Sequence, residues 1–433
     1  MYTFGVQTGS DLSAVCPTVP ESSGPGNAPS SRVKVLIVCS HVVPYASSMF
    51  VCLANDPRFD IVVAYCSMQG AEPGLDPEFG VKVQWDEPLL EGYRWVHVAN
   101  KSLRPRLAHF FGLWNPGLWK LIRDGGFDAV VIYTGYMYAS FWLAVSAAKS
   151  TRVPVLISSD STTTQPRDKA PWKAWIKPFV LGRVYRTIDV LMAASLAVQD
   201  LAIQLGMPKE RIAIIPSGMN KEAWLARLAK FDRNAVRVGL NVPADAPVVM
   251  YCAKLQAWKR PLDLLRAFAK AAVPDAYLVY AGDGPVRAQL EQEMRALGLA
   301  GRVRILGFVN SSHLPGLYKA SDLFVLPSEY DPCPLVVPEA MLAGIPAVLS
   351  DAVVGRIAMI DPGNSGYTYP CGDSDGLAAI LRAVLSDSDL LRHLKKQVGK
   401  QMESWRSSDF LDSWLRAIDQ AKRHLNGSGS KNA

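Results

Sequence analysis

Residues Pro327 to Val348 read PSEYDPCPLVVPEAMLAGIPAV, and this stretch bears on the fold and on the site together. Leu323 to Leu326, just before it, have the apolar character of a buried strand; Pro327 and Ser328 end that strand, and a proline-interrupted loop carries Asp331. The apolar run that follows predicts a helix whose first turns hold Glu339, with Gly344 and Pro346 as its stop signals. Two carboxylates therefore lie eight positions apart across a strand, loop and helix. A helix N-terminus attracts anions, so an acid close behind it is out of place unless one ligand brings both phosphates and hydroxyls. On that reading the amides around Leu335 and Val336 hold a diphosphate, Glu339 accepts from two vicinal ribose hydroxyls, and Asp331 accepts from sugar hydroxyls. Carboxylates suit diols because the ionised group only accepts. Taken alone, Asp331 also reads as a turn residue and Glu339 as a solvated helix position.

The rest of the chain supplies a frame for this segment. From Arg32 onward, short Val- and Ile-rich runs alternate with helical stretches, the pattern of parallel sheets covered on both faces. Such runs occupy 34–40, 59–66, 127–134, 153–159, 188–194 and 211–218, and the pattern restarts at 247–254, 276–282, 303–308, 321–328 and 345–351. The expected fold is α/β, with two doubly wound, Rossmann-like domains whose ligands bind at the C-terminal ends of the strands. The least regular connection falls at 219–245, which puts the boundary near Asn220 and the domains at 32–220 and 221–404. A last helical stretch covers about 388–424, with 405–425 beyond the second domain. The Ser-, Pro- and Gly-rich residues 1–31 and the terminal 426–433 read as disordered tails.

Composition narrows the function classes. The 433 residues carry a formal net charge of +7 with 49% hydrophobic and 20% charged residues, as in an ordinary globular protein. That charge suits an anionic donor, acceptor or membrane surface without requiring nucleic acid, and no nucleic-acid-binding motif is present. The seven cysteines are scattered, with no C-x-x-C and no Cys/His cluster, which argues for a reduced cytoplasm and against a zinc site. Residues 1–31 lack the charged and apolar regions of a signal peptide, and no window is long and apolar enough for a membrane span.

The Asp331 and Glu339 pair, set in PS, LVV, EAM, AG and P at fixed spacing, resembles the carboxylate pair of the retaining group 1 glycosyltransferases, a family with the two-domain GT-B fold. The likeness covers most of 32–425 and is strongest after 188. It implies a nucleotide-sugar donor bound by the second domain, an acceptor bound by the first across a central cleft, and a terminal helix that crosses back onto the first domain. The chain departs from the family pattern in three places. Asp331 stands where Glu is usual, Pro332-Cys333-Pro334 replaces a Gly-x-Gly, and Ala46-Ser47 replaces a Gly-Gly. Pro334 also removes one amide that could have met a phosphate.

Other candidates follow the ends of the predicted strands. Lys254 and Lys259, after the strand at 247–254, are two cations five positions apart, placed either to neutralise a diphosphate leaving group or as a solvated basic turn. The family's pair of basic residues matches them. Gly282 and Gly284, in Gly282-Asp283-Gly284-Pro285, make a tight strand-to-helix turn; by resemblance this turn flanks the nucleotide, and Phe308 passes near the base. In the first domain His41 reads as an acceptor or diphosphate contact or as a structural histidine. Tyr133 to Tyr136 face the crevice, and Asp160 is an acceptor base or a turn cap.

The implied reaction moves a sugar from a nucleotide diphosphate to a hydroxyl of a glycan, glycolipid or lipid-linked acceptor, with retention. The leaving diphosphate assists deprotonation. By the resemblance, GT-B enzymes generally need no bound metal, so no metal or other cofactor is expected, consistent with the absence of a D-x-D in a suitable loop. The alternatives are another GT-B enzyme, such as a sugar-nucleotide epimerase or a phosphorylase, and a catalytically silent nucleotide-sugar-binding subunit. Residues 93–123 and 166–186 interleave aromatic and basic side chains with hardly any acid. They suggest either peripheral attachment to an anionic membrane, on the inner face of the cytoplasmic membrane, or a packed face with solvated cations.

Overall fold

The Val- and Ile-rich runs pair side by side in two separate parallel sheets. A computed structural model describes residues 32–76, 81–107, 109–165, 171–215 and 218–429. The first sheet runs β5-β2-β1-β6-β7-β8-β9. Its strands are β1 (Val33–Cys39), β2 (Phe59–Tyr65), β5 (Trp95–His97), β6 (Ala129–Ile132), β7 (Val155–Ser159), β8 (Val190–Ala193) and β9 (Ile212–Ile214). A small antiparallel hairpin, β3 (Gly74–Asp76) with β4 (Val81–Val83), lies outside it. The second sheet, β12-β11-β10-β13-β14-β15, uses β10 (Val248–Cys252), β11 (Tyr277–Ala281), β12 (Val303–Ile305), β13 (Leu323–Leu326), β14 (Ala347–Ser350) and β15 (Gly366–Tyr369).

Each sheet grows one way from its first strand and then the other, so β1 lies between β2 and β6, and β10 between β11 and β13. Those are the topological switch points at which an open α/β sheet leaves a crevice at its strand ends. Burial explains why unbroken apolar runs specify these strands. Along β1, Leu36 and Val38 enter the core on one face while Val35, Ile37 and Cys39 enter the core on the other, so every position is covered. In β10, Tyr251 and Met250 divide between two cores in the same way.

The terminal helix, Ser407–Gly429, contributes Phe410, Trp414, Ala417, Ile418 and Ala421 to the core of the first domain. This spacing lies along one helical face. Trp414 is fully buried, stacked on Tyr133 at 6.4 Å and edge-on to Phe410 at 5.9 Å. The crossing back that the family resemblance implies is therefore present.

Several local expectations are corrected. Strands β5 (Trp-Val-His) and β15 (Gly-Tyr-Thr-Tyr) and the β3–β4 hairpin escape the apolar pattern because they are not unbroken Val- and Ile-rich runs, and β5 is exposed at two of its three positions. The stretch at 388–424 is two helices, Ser388–Glu403 and Ser407–Gly429, and the second continues past 425 because extending a packed helix costs far less than nucleating one. Pro285 lies in a turn, and its helix starts at Arg287. Tyr133 turns its ring into the core and not toward the crevice. Of the expected tails at 1–31 and 426–433, residues 426–429 are the end of the helix Ser407–Gly429, and 1–31 and 430–433 lie outside the described residues, as do 166–170 of the second aromatic-basic segment.

A buried charge cluster fixes the second domain from behind. Asp322, just before β13, accepts from Arg233 and Arg237 at 2.7 Å each, from Lys395 at 2.6 Å and from the Val248 N–H at 2.9 Å. Burial pushes its carboxyl up, but Lys395, Arg233 and the Val248 N–H outweigh that and hold it below the usual range. Asp322→Ala leaves Arg237, 1% exposed, without its carboxylate. The expected loss is about 3–5 kcal/mol, read as lost hydrogen-exchange protection in β10 and β13. Trp414→Ala is expected to remove about 3–5 kcal/mol, this time with protection lost in β1 and β6 through β8.

Candidate functional site

Two loops meet at the β10/β13 switch point. The turn after β10 carries Lys254 and then the single 3₁₀ turn Ala257–Lys259, while the loop after β13 carries Asp331. The Glu329 N–H donates to the Trp258 carbonyl at 2.7 Å and ties the loops together. Lys259 makes an ion pair with Asp331, both side chains almost buried, and its ammonium lies 4.3 Å from the centre of the Trp258 ring. Asp331 is fixed further through its backbone, whose carbonyl accepts from the Val354 N–H at 3.0 Å. Lys254 is half-buried at the same strand end, and its carbonyl accepts from the Tyr251 hydroxyl at 3.2 Å.

Glu339 sits in the helix Val336–Leu342, preceded by Leu335 at the N-cap. The helix stops where Gly344 adopts φ +78°, letting the N–H groups of Gly344 and Ile345 return to the carbonyls of Met341 and Ala340. Tyr318 donates its hydroxyl to Glu339 Oε2 at 3.0 Å. Burial raises the Glu339 pKa to about 7; the Tyr318 hydroxyl and Arg227 pull it down, and Glu87 pushes it up. Glu339 also acts on Cys252 and Asp331 on Tyr251, so both carboxylates face the end of β10. The expected pair is thus brought to one place.

The glycines after β11 are there for close backbone approach. A Cβ at Gly282 would lie 2.0 Å from the Ala253 carbonyl oxygen, and one at Gly284 2.5 Å from that of Leu255. Both glycines therefore allow the turn that carries Lys254 to lie against the end of β11. The Gly282 N–H donates to the Gly307 carbonyl at 2.8 Å, which sets Phe308 beside the same turn.

Across the cleft the first domain presents the ends of β1 and β7. His41 is half-buried, with its Nδ1 2.9 Å from the Ser40 hydroxyl. In the helix Pro44–Asn55 both Ala46 and Ser47 are buried, so the exposed side chain at that turn is Tyr45. Asp160 is exposed after β7 and acts on both Tyr45 and Cys333. Burial first, then Asp160 and Asp331, push the Cys333 thiol up to about 11, so carboxylates of both domains converge on this loop. Two residues on, Thr162 donates to the Tyr330 hydroxyl at 3.0 Å.

Sequence reasoning missed a second set of contacts between the domains. Three consecutive residues of the first domain reach the loop after β12 and Arg227 in the second. Trp85 packs edge-on against Phe308 at 5.3 Å, Asp86 accepts from the Ser312 hydroxyl, and Glu87 pairs with Arg227. Arg227 also donates to the Ser311 carbonyl. The only local signal was the Trp-Asp-Glu run itself, which has no periodicity. Tyr318 was missed as well, being one more aromatic in an apolar helix.

Residues 232–401 match the family described as glycosyl transferases group 1, and residues 42–218 match the glycosyl transferase 4-like domain. The glycosyltransferase MJ1607 of Methanocaldococcus jannaschii is 31% identical over 205 residues, 47% of this chain and 52% of its own length. The chain thus spans about half of that relative. The sulfoquinovosyl transferase SQD2 of Arabidopsis thaliana is 26% identical over 371 residues, 81% of this chain and 68% of its own length. In fold, the chain resembles Alr3699/HepE of Anabaena, solved in complex with UDP-glucose, with a TM-score of 0.68 and 20% identity over 92% of this chain and 100% of that one. With its second domain matched by the group 1 family and its first by the glycosyl transferase 4-like domain, on a GT-B fold, the chain belongs to the group 1 glycosyltransferases.

Proposed function

We propose that the protein transfers a sugar from a nucleotide-diphosphate donor to a hydroxyl of a glycan, glycolipid or lipid-linked acceptor, with retention of anomeric configuration and without a bound metal. The observation that carries this reading is the Lys259–Asp331 pair at the β10/β13 switch point, with Glu339 on the helix that follows. Glu339 accepts from the ribose hydroxyls, Asp331 from the sugar, and Lys254 and Lys259 meet the diphosphate. HepE, solved with UDP-glucose, is a precedent for such a donor on this fold. The six described cysteines are all free, which suits a reducing cytoplasm.

In the reaction the bond between the anomeric carbon and the diphosphate oxygen breaks, and a bond to the acceptor oxygen forms on the same face. The acceptor proton passes to the departing diphosphate. Negative charge grows on the leaving oxygen, and fixed cations in a partly dry site stabilise it where bulk water would have to reorganise. Asp160 and His41 lie on the acceptor side and orient the incoming hydroxyl. Closure of the domains over the donor excludes water from the sugar.

The test begins with calorimetry of UDP, GDP and ADP, followed by turnover with the matching nucleotide sugars. Lys259→Ala is expected to lower kcat by about 10²–10³. Binding with no turnover on any acceptor, or Lys259→Ala turning over like wild type, would overturn the reading. The Glu339 pKa adds a pH signature. The ionised form accepts from the ribose, and its fraction falls as pH drops through about 7, so nucleotide affinity should weaken by about tenfold from about pH 8 to about pH 6. Glu339→Gln should bind weakly with no such slope.

A further inference from the structure

The helix Pro171–Thr187 buries Leu181, Val184 and Tyr185 in the first domain, yet leaves Trp172, Trp175, Ile176 and Phe179 in solvent. Trp175 is 83% exposed and Phe179 68%. Their spacing of three and four places these four on one face, so the helix is apolar on its outer side as well as its inner one. No Asp or Glu occurs in 171–187, whereas Lys173, Lys177, Arg183 and Arg186 do. Lys173 lies over the Trp172 ring at 5.5 Å and Arg183 over that of Phe179 at 5.9 Å.

A second element continues this face. After β5, Leu103, Phe110 and Phe111 are exposed among Lys101, Arg104 and Arg106, and residues 93–123 contain no acid. Tyr138, at the start of the helix Ala139–Ser150, joins this loop to the rest by donating to the Leu107 carbonyl at 2.9 Å. Leu113, Phe141 and Leu181 enter the same core, so all three elements cover the same face of the sheet. They follow the C-terminal ends of β5, β6 and β7 and form one rim. With β5 and β7 four strands apart, the rim is about 19 Å wide at roughly 4.8 Å per strand.

We propose that this rim docks on an anionic lipid bilayer, with the helix Pro171–Thr187 as its main contact. Charge decides the occupant. A twofold dimer through the rim would set two cationic segments, 93–123 and 171–187, neither of which contains an acid, against their own copies. A bilayer with anionic headgroups accepts aromatic rings at the acyl boundary and cations at the phosphates at once. Exposed rings projecting from separate elements suit shallow insertion. Asp160 and Thr162 lie on the segment between β7 and this helix, so docking turns the mouth of the cleft toward the lipid surface. The docking stands without the transfer reaction; presentation of a lipid-linked hydroxyl there rests on the function proposed above.

The experiment is co-sedimentation of the full chain with vesicles of phosphatidylcholine alone and of phosphatidylcholine with phosphatidylglycerol, at low and physiological salt. Binding is expected only with the anionic lipid, weakening with salt, and falling at least about tenfold in Trp175→Ser/Phe179→Ser and in Lys173→Glu/Arg183→Glu. Trp175, Phe179 and Arg183 are exposed and Lys173 is half-buried, and an unchanged circular dichroism spectrum and thermal midpoint should accompany the loss. Equal binding to neutral vesicles, no binding at low salt, or folded variants that bind like wild type would overturn the proposal. So would a dimer on light scattering that Trp175→Ser/Phe179→Ser dissolves, since the face would then belong to a second copy. Vesicle binding without a thermal shift from UDP, GDP or ADP would count against the donor reading alone, and the converse against docking alone.

Discussion

Trp414 is the side chain on which the two-domain arrangement depends. It is fully buried against Tyr133 and Phe410 in a core whose other strands precede it by more than two hundred residues. The chain must leave the first domain after β9, build the second, and come back. The two crossing segments are bonded to each other. Lys221 donates to the carbonyls of Met402 at 2.6 Å and Trp405 at 3.0 Å, and Ser407 donates to Glu222 at 2.9 Å. Lys221 thereby places a cation at the C-terminus of the helix Ser388–Glu403, where the helix dipole favours it. Two strands of chain held side by side form a hinge and not a swivel, so the domains open and close along a restricted path.

That restriction positions the site. Each sheet has its crevice at its own switch point, and the hinge turns the two crevices toward one another. The facing loops then touch through single contacts, Thr162 with Tyr330, Trp85 with Phe308 and Glu87 with Arg227. Contacts of this kind are individually worth little in water, about 0–1 kcal/mol for an exposed ion pair. Relative motion of the domains is accordingly the default. Residues 85–87 link the first domain to the loop after β12 and to Arg227 in the second, and Arg227 and Glu87 act in opposite directions on the buried Glu339.

The strands were legible because a parallel strand covered on both faces must be apolar at every position, and eleven runs satisfied that. β5 and β15 were not legible: Trp95–His97 and Gly366–Tyr369 are edge strands that mix polar and aromatic residues and are only partly buried. Lys254, Lys259 and Asp331 were legible because they lie in the loops that follow strand ends, and Glu339 because it lies on the short helix after the Asp331 loop. The grip of residues 85–87 on Phe308, Ser312 and Arg227 was not, since it depends on how two domains dock across more than a hundred residues of chain. The buried placement of Ala46 and Ser47 was hidden for a related reason: Pro44 starts the helix, so both lie in its first turn and pack inward while Tyr45 points outward.

The Lys259–Asp331 pair has two consequences for a bound donor of the kind proposed. An almost buried carboxylate is tolerated only while a cation offsets its desolvation, and Lys259 does so, itself held over the Trp258 ring. A diphosphate brings more negative charge than Asp331 and competes for the same ammonium. As Lys259 turns toward it, Asp331 loses its partner and needs new donors, and sugar hydroxyls at the same strand end supply them. Binding of the phosphates and recognition of the sugar are then two halves of one exchange. A free nucleotide, which claims Lys259 but offers Asp331 no sugar hydroxyl, leaves that exchange incomplete and gains less than the full donor.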